Sequence, residues 1–331
     1  MNKNILITGG AGYVGTMLAH RLINEKKNVI VYDTFWYGEP EILFGKNLPK
    51  IRIVKADIRN PIEYEKAIKD NDVDCVIHLA CVSNDPSYEL NPELGKSINY
   101  DCFENLVKIA KNNGVKRFIY ASSSSVYGVK KEEQVTENLS LEPLTDYSKY
   151  KALCEEVLLK YIDKDFVGTV VRPATVCGYS ERLRLDLSVN ILTTHAYFKN
   201  KIMIFGGEQY RPNLNILDMI EFYVEALNYD SELINGEIFN VGYENLKIKD
   251  IGLLVKKIVK KDFETETIAS NDNRSYRITS KKIEDKLGFK PKNSVEDAIV
   301  SLYQSFESQK VKDPFENESF YNVQVMKKIY E

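Results

Sequence analysis

A tyrosine and a lysine four residues apart, Tyr147 and Lys151, are the side chains of this sequence best suited to acid/base chemistry. They share one face of a helix predicted over residues 146–161, because residues at this spacing are neighbours on a helix surface. A phenol has an ordinary pKa of about 10, and a nearby ammonium group favours the phenolate and lowers that pKa. Lys151 could also bind a ribose hydroxyl. Taken alone, the same spacing is common on ordinary surface helices.

Ser123 could complete this chemistry. It lies 24 residues before Tyr147, at the end of a strand predicted over residues 117–121. Doubly wound parallel sheets bind their ligands at the carboxyl ends of strands, so a hydroxyl there could share the proton of a substrate alcohol with Tyr147. The serine run 122–125 could equally be a polar transition from strand to loop, stabilised by hydrogen bonds to its own backbone.

A glycine-rich turn near the start of the chain could bind a dinucleotide. Gly9, Gly12 and Gly15 separate a short apolar run, residues 5–7, from apolar residues at helical spacing. Glycine permits a tight turn and a close ligand, and the following helix offers free N–H groups to a pyrophosphate. Asp33 ends the next predicted strand, where a carboxylate accepts a hydrogen bond from a ribose 2′-hydroxyl. A 2′-phosphate would be repelled there, so the sequence predicts NAD.

Composition excludes several classes of function. The chain has 331 residues and a net charge of −3, so it lacks the basic field that favours nucleic acid or an anionic membrane. We find neither a signal-peptide pattern nor 18 consecutive apolar residues, and we expect a soluble, cytoplasmic protein. Five cysteines without a C-x-x-C pair and three histidines without ligand spacing predict neither a disulfide framework nor a metal site.

Strands and helices alternate through the first half of the chain. The predicted strands cover residues 5–7, 28–33, 52–56, 72–80, 117–121 and 166–171, and helices are predicted over 61–70, 92–113 and 146–161. This alternation indicates βαβ units and a doubly wound parallel sheet of the α/β class. After Pro173 the pattern changes. One helix is predicted to end at about residue 200, and four more are predicted over 218–229, 248–259, 280–287 and 294–308. Short strands are predicted over 202–205, 237–241 and 263–268. The last twenty residues fit no element.

Together these motifs resemble the extended short-chain dehydrogenase/reductases, especially the nucleotide-sugar epimerases and dehydratases that depend on NAD. The matching residues are Thr8-Gly9-x-x-Gly12-x-x-Gly15, Asp33, Asp57-Ile58, Leu79-Ala80, Asn99, Ser122-Ser123, Val126-Tyr127-Gly128 and Tyr147-x-x-x-Lys151. The resemblance covers nearly the whole chain. It implies a Rossmann domain over residues 1–172, rejoined by about 212–242. A smaller, mostly helical domain over 173–211 and 243–331 would bind a nucleoside diphosphate sugar.

The same resemblance assigns roles to individual residues. Tyr147 would take the proton of a sugar hydroxyl, typically at C4, while Ser123 holds the oxygen and Lys151 orients NAD. The residues expected to bind NAD are Gly9, Gly12, Tyr13, Val14, Gly15, Asp33, Asp57, Ile58, Leu79, Ala80, Asn99, Ser122, Tyr147, Lys151 and Pro173. Those expected to bind the nucleotide sugar are Ser83, Asn84, Ser123, Asn190, Arg211 and Arg274. A homodimer through the helices at 92–113 and 146–161 is also implied.

Oxidation of the C4 hydroxyl would give a 4-keto sugar. The residues before Val126 indicate which reaction this intermediate undergoes next. Dehydratases of the family carry Thr-Asp-Glu there, whereas this chain has three serines, 123–125, so dehydration is disfavoured. Members that epimerise at C3 or C5 carry cysteine at the position of Ser125. Cys177 falls where relatives often carry tyrosine and is interpreted as a small apolar filler. We therefore expect a 4-epimerase of sugar-nucleotide or surface-polysaccharide biosynthesis.

Two alternatives remain open from the sequence. The first is a 4-dehydrogenase that releases the 4-keto sugar, because the residues described above serve both reactions. The second is a non-catalytic NAD-binding scaffold, which would be expected to lose Tyr147 or Lys151, yet both are present.

Overall fold

The computed structural model describes residues 3–259, 263–269 and 275–330. In these ranges the strands are β1 (Asn4–Thr8), β2 (Asn28–Asp33), β3 (Ile51–Lys55), β4 (Cys75–His78), β5 (Arg117–Ala121), β6 (Val167–Pro173), β7 (Thr175–Cys177), β8 (Lys201–Phe205), β9 (Tyr210–Asn215), β10 (Ile238–Val241), β11 (Glu244–Lys247) and β12 (Glu264–Ile268). The helices are α1 (Tyr13–Asn24), α2 (Pro40–Phe44), α3 (Pro61–Asp70), α4 (Asp85–Glu89), α5 (Pro92–Lys96), α6 (Phe103–Asn112), α7 (Asp146–Tyr161), α8 (Ser188–Lys199), α9 (Ile216–Ala226), α10 (Ser231–Ile234), α11 (Ile248–Val259), α12 (Lys281–Leu287), α13 (Val295–Glu307) and α14 (Asn322–Tyr330).

Among the described residues, a seven-stranded parallel sheet has the order β10-β6-β5-β4-β1-β2-β3. The order reverses between β1 and β4, and the crevice outside the carboxyl ends of such a pair is the usual ligand site of a doubly wound sheet. This confirms the predicted α/β Rossmann class. The chain leaves the sheet after Pro173 and returns to its edge with β10.

Both faces of the sheet are covered, which is why its strands are nearly continuous runs of apolar residues. Ile5 and Ile7 of β1 belong to one core cluster, and Leu6 between them belongs to another. Side chains of a strand alternate between faces, so the two clusters lie on opposite sides. Leu22 of α1 packs in the first cluster and Leu158 of α7 in the second.

Two helices that carry predicted site residues have distinctive local geometry. The helix predicted over 92–113 is α5 and α6 joined by a π-helical turn, Ser97–Asp101, which contains Asn99. Helix α7 begins with a capping box: Thr145 accepts from the backbone N–H of Ser148, and the Ser148 hydroxyl accepts from the backbone N–H of Thr145. This cap fixes the first turn of α7, where Tyr147 lies.

The remaining segments form smaller sheets packed with helices. Strands β11, β9 and β7 pair in that order, and β12 pairs with β8. Cys177 is fully buried against α8, α11 and α13 in a third core cluster, so the structure places it as an apolar filler. The sequence did not predict β7, β9 or β11, because these strands are short, and β9 and β11 are rich in polar residues.

The last residues of the chain form helix α14, which the sequence analysis left unassigned. Met326 is fully buried in the second core cluster, and Ile329 and Tyr330 pack against that cluster. The C-terminal helix is therefore part of the Rossmann core rather than a loose tail. None of the helices in the described ranges is long and apolar enough to cross a lipid bilayer.

The substitution Met326→Ala tests whether α14 contributes to the fold. We expect it to lower the free energy of unfolding by about 2–5 kcal/mol, since it deletes a fully buried side chain. Denaturant titration measures the loss. Lys327→Ala on the exposed side of the same helix should leave stability nearly unchanged. Equal stability of the two variants would contradict the packing described for α14.

Candidate active site

A cavity of about 560 Å³ lies at the carboxyl ends of the sheet strands. Its walls contain eighteen of the predicted site residues. They are Gly9, Gly12, Tyr13, Val14, Gly15, Asp33, Asp57, Ile58, Leu79, Ala80, Ser83, Asn84, Ser122, Ser123, Tyr147, Lys151, Pro173 and Arg211. The fold thus brings together the glycine turn from the start of the chain and the Tyr-x-x-x-Lys pair from α7.

The glycine turn forms a cradle that side chains would fill. Gly9 has φ +72°, and a Cβ at this position would lie 2.6 Å from the backbone nitrogen of Ala80. A Cβ on Gly15 would lie 2.4 Å from the carbonyl oxygen of Gly9. Among the described residues no side chain caps the start of α1. The first backbone N–H groups of this helix therefore face the edge of the cavity without a capping hydrogen bond. The turn fits the pyrophosphate of a dinucleotide.

Asp33 connects this turn to the end of β2. Its carboxylate accepts from the backbone N–H of Ala11 at 3.0 Å and from that of Phe35 at 2.8 Å. Burial raises the pKa of Asp33, and these two hydrogen bonds oppose the rise. Each carboxylate oxygen retains a lone pair, so Asp33 can still accept from a ribose hydroxyl.

Tyr147 and Ser123 both line the cavity. Burial raises the pKa of the Tyr147 phenol well above its ordinary value, and the nearby Cys81 and Asp85 add to the rise. The Arg184 guanidinium and a hydrogen bond with the Ser123 hydroxyl oppose it. The serine hydroxyl also lies 2.9 Å from that of Ser125.

The contacts of Lys151 differ from those expected from its spacing to Tyr147. Its ammonium nitrogen donates to the carbonyl oxygen of Ala121 at 2.7 Å and lies 5.9 Å from the centroid of the Tyr147 ring. The pKa of Tyr147 is raised rather than lowered, because burial outweighs the positive charge of Arg184. Lys151 remains in the cavity wall, close to both strand end and phenol.

A buried ion pair behind the cavity holds α7 against the sheet. The two side chains of Glu155 and Arg172 are each 3% exposed, and Arg172 donates to both carboxylate oxygens. The Ser122 hydroxyl donates to the same carboxylate, and Arg172 donates to the Tyr127 hydroxyl at 2.8 Å. Sequence analysis missed Glu155, although it continues the spacing of 147 and 151 by one more turn.

Two predicted binding residues lie behind the wall instead of lining it. The Asn99 amide accepts from the backbone N–H of Val82 at 2.8 Å and donates to its carbonyl at 3.0 Å. Asn190 is fully buried; it accepts from the backbone N–H of Gly178 at 3.0 Å and donates to the Arg184 carbonyl at 2.8 Å. Both amides form hydrogen bonds with the backbone of loops. The spacing of residues in the sequence does not predict this structural role. Arg274 lies outside the described residues.

Three charged residues of one loop, none of them selected from the sequence, line the cavity: Arg182, Arg184 and Asp186. They alternate with Leu183 and Leu185, which are buried in a fourth core cluster. Because the two leucines are buried in that cluster, the charged side chains between them are left on the side of the cavity. The Arg182-Leu-Arg-Leu-Asp-Leu pattern was the signal that could have identified them.

The acidic residue of this loop already accepts hydrogen bonds from two side chains. Asp186 accepts from Nε of Arg184 at 2.9 Å and from the Asn84 amide at 2.8 Å. Asn84 has φ +76°, an unusual conformation for a residue other than glycine, and it caps α4. Among the described residues no group of three His, Cys, Asp or Glu side chains could hold a metal ion.

The fold and this site define a Rossmann enzyme of the short-chain dehydrogenase/reductase class. The model of the NAD dependent epimerase/dehydratase family matches residues 5–242, and the chain belongs to that family. NAD is therefore its cofactor, which confirms the expectation from the glycine turn and Asp33.

Individual relatives cover almost the whole chain. The UDP-glucose 4-epimerase of Lactobacillus helveticus is 26% identical over 322 residues, covering 90% of this chain and 96% of that protein. The crystal structure of the Thermotoga maritima UDP-glucose 4-epimerase with UDP-glucose has a TM-score of 0.81 at 25% identity, covering 93% and 100% of the two chains. The Bacillus cereus UDP-glucuronic acid 4-epimerase, in complex with UDP-glucuronic acid and NAD, has a TM-score of 0.80 at 26% identity, covering 92% and 99%.

The substitution Asp33→Asn tests how the site selects NAD. We expect the preference for NAD over NADP to fall by about tenfold or more, since like charges in contact cost several kcal/mol and 1.4 kcal/mol is about tenfold. Dissociation constants of both dinucleotides, measured by calorimetry, give the ratio. Asp57→Asn removes the same charge elsewhere in the cavity and should preserve the preference. An equal loss of preference in both variants would contradict the role given to Asp33.

Proposed function

We propose that this protein is an NAD-dependent nucleotide-sugar 4-epimerase that acts in the cytoplasm. It oxidises the C4 hydroxyl of a nucleoside diphosphate sugar and then reduces the 4-keto sugar from the other face. The observation that carries the proposal is that Tyr147, Ser123 and Lys151 line the same cavity as the glycine cradle. The 4-epimerase activity of the UDP-sugar relatives supports it.

The residues proposed to hold NAD line the cavity from the glycine turn to α7. Gly9, Gly12 and Gly15 would accommodate the pyrophosphate, Asp33 would bind the adenosine ribose, and Lys151 would orient the nicotinamide riboside. NAD, when bound, supplies the acceptor for the hydride that leaves the sugar carbon.

The proton is handled by Tyr147 and its neighbours. The phenolate oxygen of Tyr147 takes the proton of the C4 hydroxyl and gives it back when the ketone is reduced. Ser123 donates a hydrogen bond to the same sugar oxygen and so stabilises the charge that develops there. Burial works against the phenolate, and the positive charge of Arg184 favours it. The catalytic base is thus tuned by the loop that carries Arg184.

The residues beside Ser123 favour epimerisation over dehydration. Ser124 lies 3.2 Å from the Tyr276 hydroxyl, and Ser125 lies 2.9 Å from Ser123. Neither position offers the carboxyl group that would protonate a leaving hydroxyl or the base that would take a proton from C5. Dehydration of the keto sugar is therefore disfavoured.

Arg211, which lines the cavity, is proposed to bind the diphosphate of the nucleotide sugar, with Arg274 as a second predicted contact. Ser83 and Asn84 are proposed to face the sugar. The UDP-sugars bound by the relatives favour a uridine nucleotide.

The proposal includes a homodimer through α5 to α6 and α7. The partly exposed rings of Tyr100 and Tyr150, one from each helix, stack at 5.2 Å and would form the centre of such an interface. Sedimentation at the mass of two 38.0 kDa chains would support the dimer, and sedimentation as one chain would refute it.

The proposal is tested by incubating the purified enzyme and NAD with a panel of UDP-, dTDP-, GDP- and CDP-sugars. We expect proton NMR to show one sugar converted to its C4 epimer without a lasting carbonyl product. Accumulation of a 4-keto sugar together with NADH would identify a dehydrogenase instead. Binding of NAD without turnover of any sugar would favour a scaffold.

The role of Arg184 is tested through the pH dependence of kcat/KM. Arg184 lowers the pKa of Tyr147, so Arg184→Met should raise that pKa. Because the phenolate is the active form, the rise of kcat/KM with pH should move to higher pH. Steady-state rates across pH, measured on the sugar found in the panel, give this midpoint.

Two further variants calibrate this shift. Arg52→Met removes an exposed arginine outside the cavity and should leave the midpoint unchanged. Tyr147→Phe should abolish turnover while still binding NAD. A midpoint that stays in place or moves to lower pH in Arg184→Met would contradict the tuning of Tyr147 by this residue.

A further inference from the structure

Arg182 is a cation enclosed in the wall of the cavity. Its side chain belongs to a residue that is only 3% exposed, and its guanidinium carbon lies 4.0 Å from the centroid of the Tyr37 ring. Burial lowers the pKa of the guanidinium to about 10, so the group keeps its charge at neutral pH.

The hydrogen bonds of Arg182 are incomplete. Its Nη2 donates to the side-chain oxygen of Asn322, whereas Nε and Nη1 are buried with no partner among the residues that the structure describes. Within the same residues Arg182 forms no ion pair. Buried donors without acceptors cost free energy, which an anion accepting from both of them would offset.

The place of Arg182 indicates which anion this is. The Ser180 hydroxyl, two residues earlier in the same loop, donates to the Tyr13 carbonyl at 2.9 Å. The charge of Arg182 opposes the rise in pKa that burial causes in Asp33 and Tyr13. Tyr13 is the first residue of α1, and Asp33 binds the backbone of the glycine turn. Arg182 and the positive end of α1 therefore face one shared volume at the glycine turn.

Asn322, at the start of α14, fixes this arrangement. Besides accepting from Arg182, its amide donates to the hydroxyl of Ser83 at 2.8 Å, so it connects the loop of Arg182 to the loop after β4. Asn322 is 1% exposed, and Met326 one turn later anchors the helix in the core. The C-terminal helix thus holds the guanidinium in place.

We propose that Arg182 binds the pyrophosphate of NAD from the side opposite the glycine turn, and that Asn322 is its positioning residue. The two free donors, Nε and Nη1, point to different sides of the planar guanidinium, so each can donate to a different oxygen of the pyrophosphate. The nucleotide sugar carries a diphosphate too, but the position of Arg182 beside Asp33 and Tyr13 favours the cofactor. The inference rests on the family's cofactor and not on the proposed epimerisation.

The test compares Arg182→Met with the wild-type enzyme, both freed of nucleotide, by calorimetric titration with ADP-ribose and with UDP. Loss of the paired contacts should weaken ADP-ribose binding about 10- to 100-fold, the range expected for hydrogen bonds to a charged group. UDP binding should be unchanged. The Tm of the ligand-free variant should be equal or higher, because an unpaired buried charge has been removed.

Two variants complete the comparison. Asn322→Ala should weaken ADP-ribose binding in the same direction but less, again without affecting UDP, and Arg52→Met should change neither affinity. Unchanged ADP-ribose affinity in Arg182→Met, or a lowered ligand-free Tm with unchanged affinities, would overturn the proposal. Weakened UDP binding with intact ADP-ribose binding would assign Arg182 to the substrate and overturn the assignment to NAD.

Discussion

The buried pair of Glu155 and Arg172 is the interaction on which the proposed chemistry depends. Removing two charges from water is costly, and here the cost is offset by several hydrogen bonds between them and by the hydroxyls of Ser122 and Tyr127. The pair joins α7 to β6. It therefore fixes the position of α7, and with it that of Tyr147, relative to the sheet. Breaking such a pair leaves one buried charge uncompensated, at a cost of about 3–5 kcal/mol.

Two further constraints place the glycine turn and the charged loop near the face of α7 that carries Tyr147. The glycine turn has no room for a Cβ at Gly9 or Gly15, so α1 starts directly beside the ends of β1 and β4. On the opposite side, Leu183 and Leu185 are inserted into a separate core and turn Arg182 and Arg184 toward the cavity. Tyr147 therefore shares its cavity with the cofactor cradle and with a charged loop.

Much of this could be predicted from sequence, for physical reasons. The parallel strands are apolar runs covered on both faces, and the glycine turn and the pair at 147 and 151 depend on short spacings. The roles of Asn99 and Asn190 were harder to predict. An asparagine that binds a ligand cannot be distinguished by sequence from one that forms hydrogen bonds with the backbone of a loop. Strand β11 was missed because three of its four residues are polar, and helix α14 was missed because it is short and mixes apolar with charged residues. The division of the chain at Pro173 and the roles of the site residues stay predictions.

The most direct test of the account uses a nucleotide sugar that carries deuterium at C4. If the enzyme returns the hydride to the same sugar, mass spectrometry and NMR will find the epimer with its deuterium still at C4, and free NADH will not accumulate. Deuterium recovered in free NADH, together with a 4-keto product, would contradict the account.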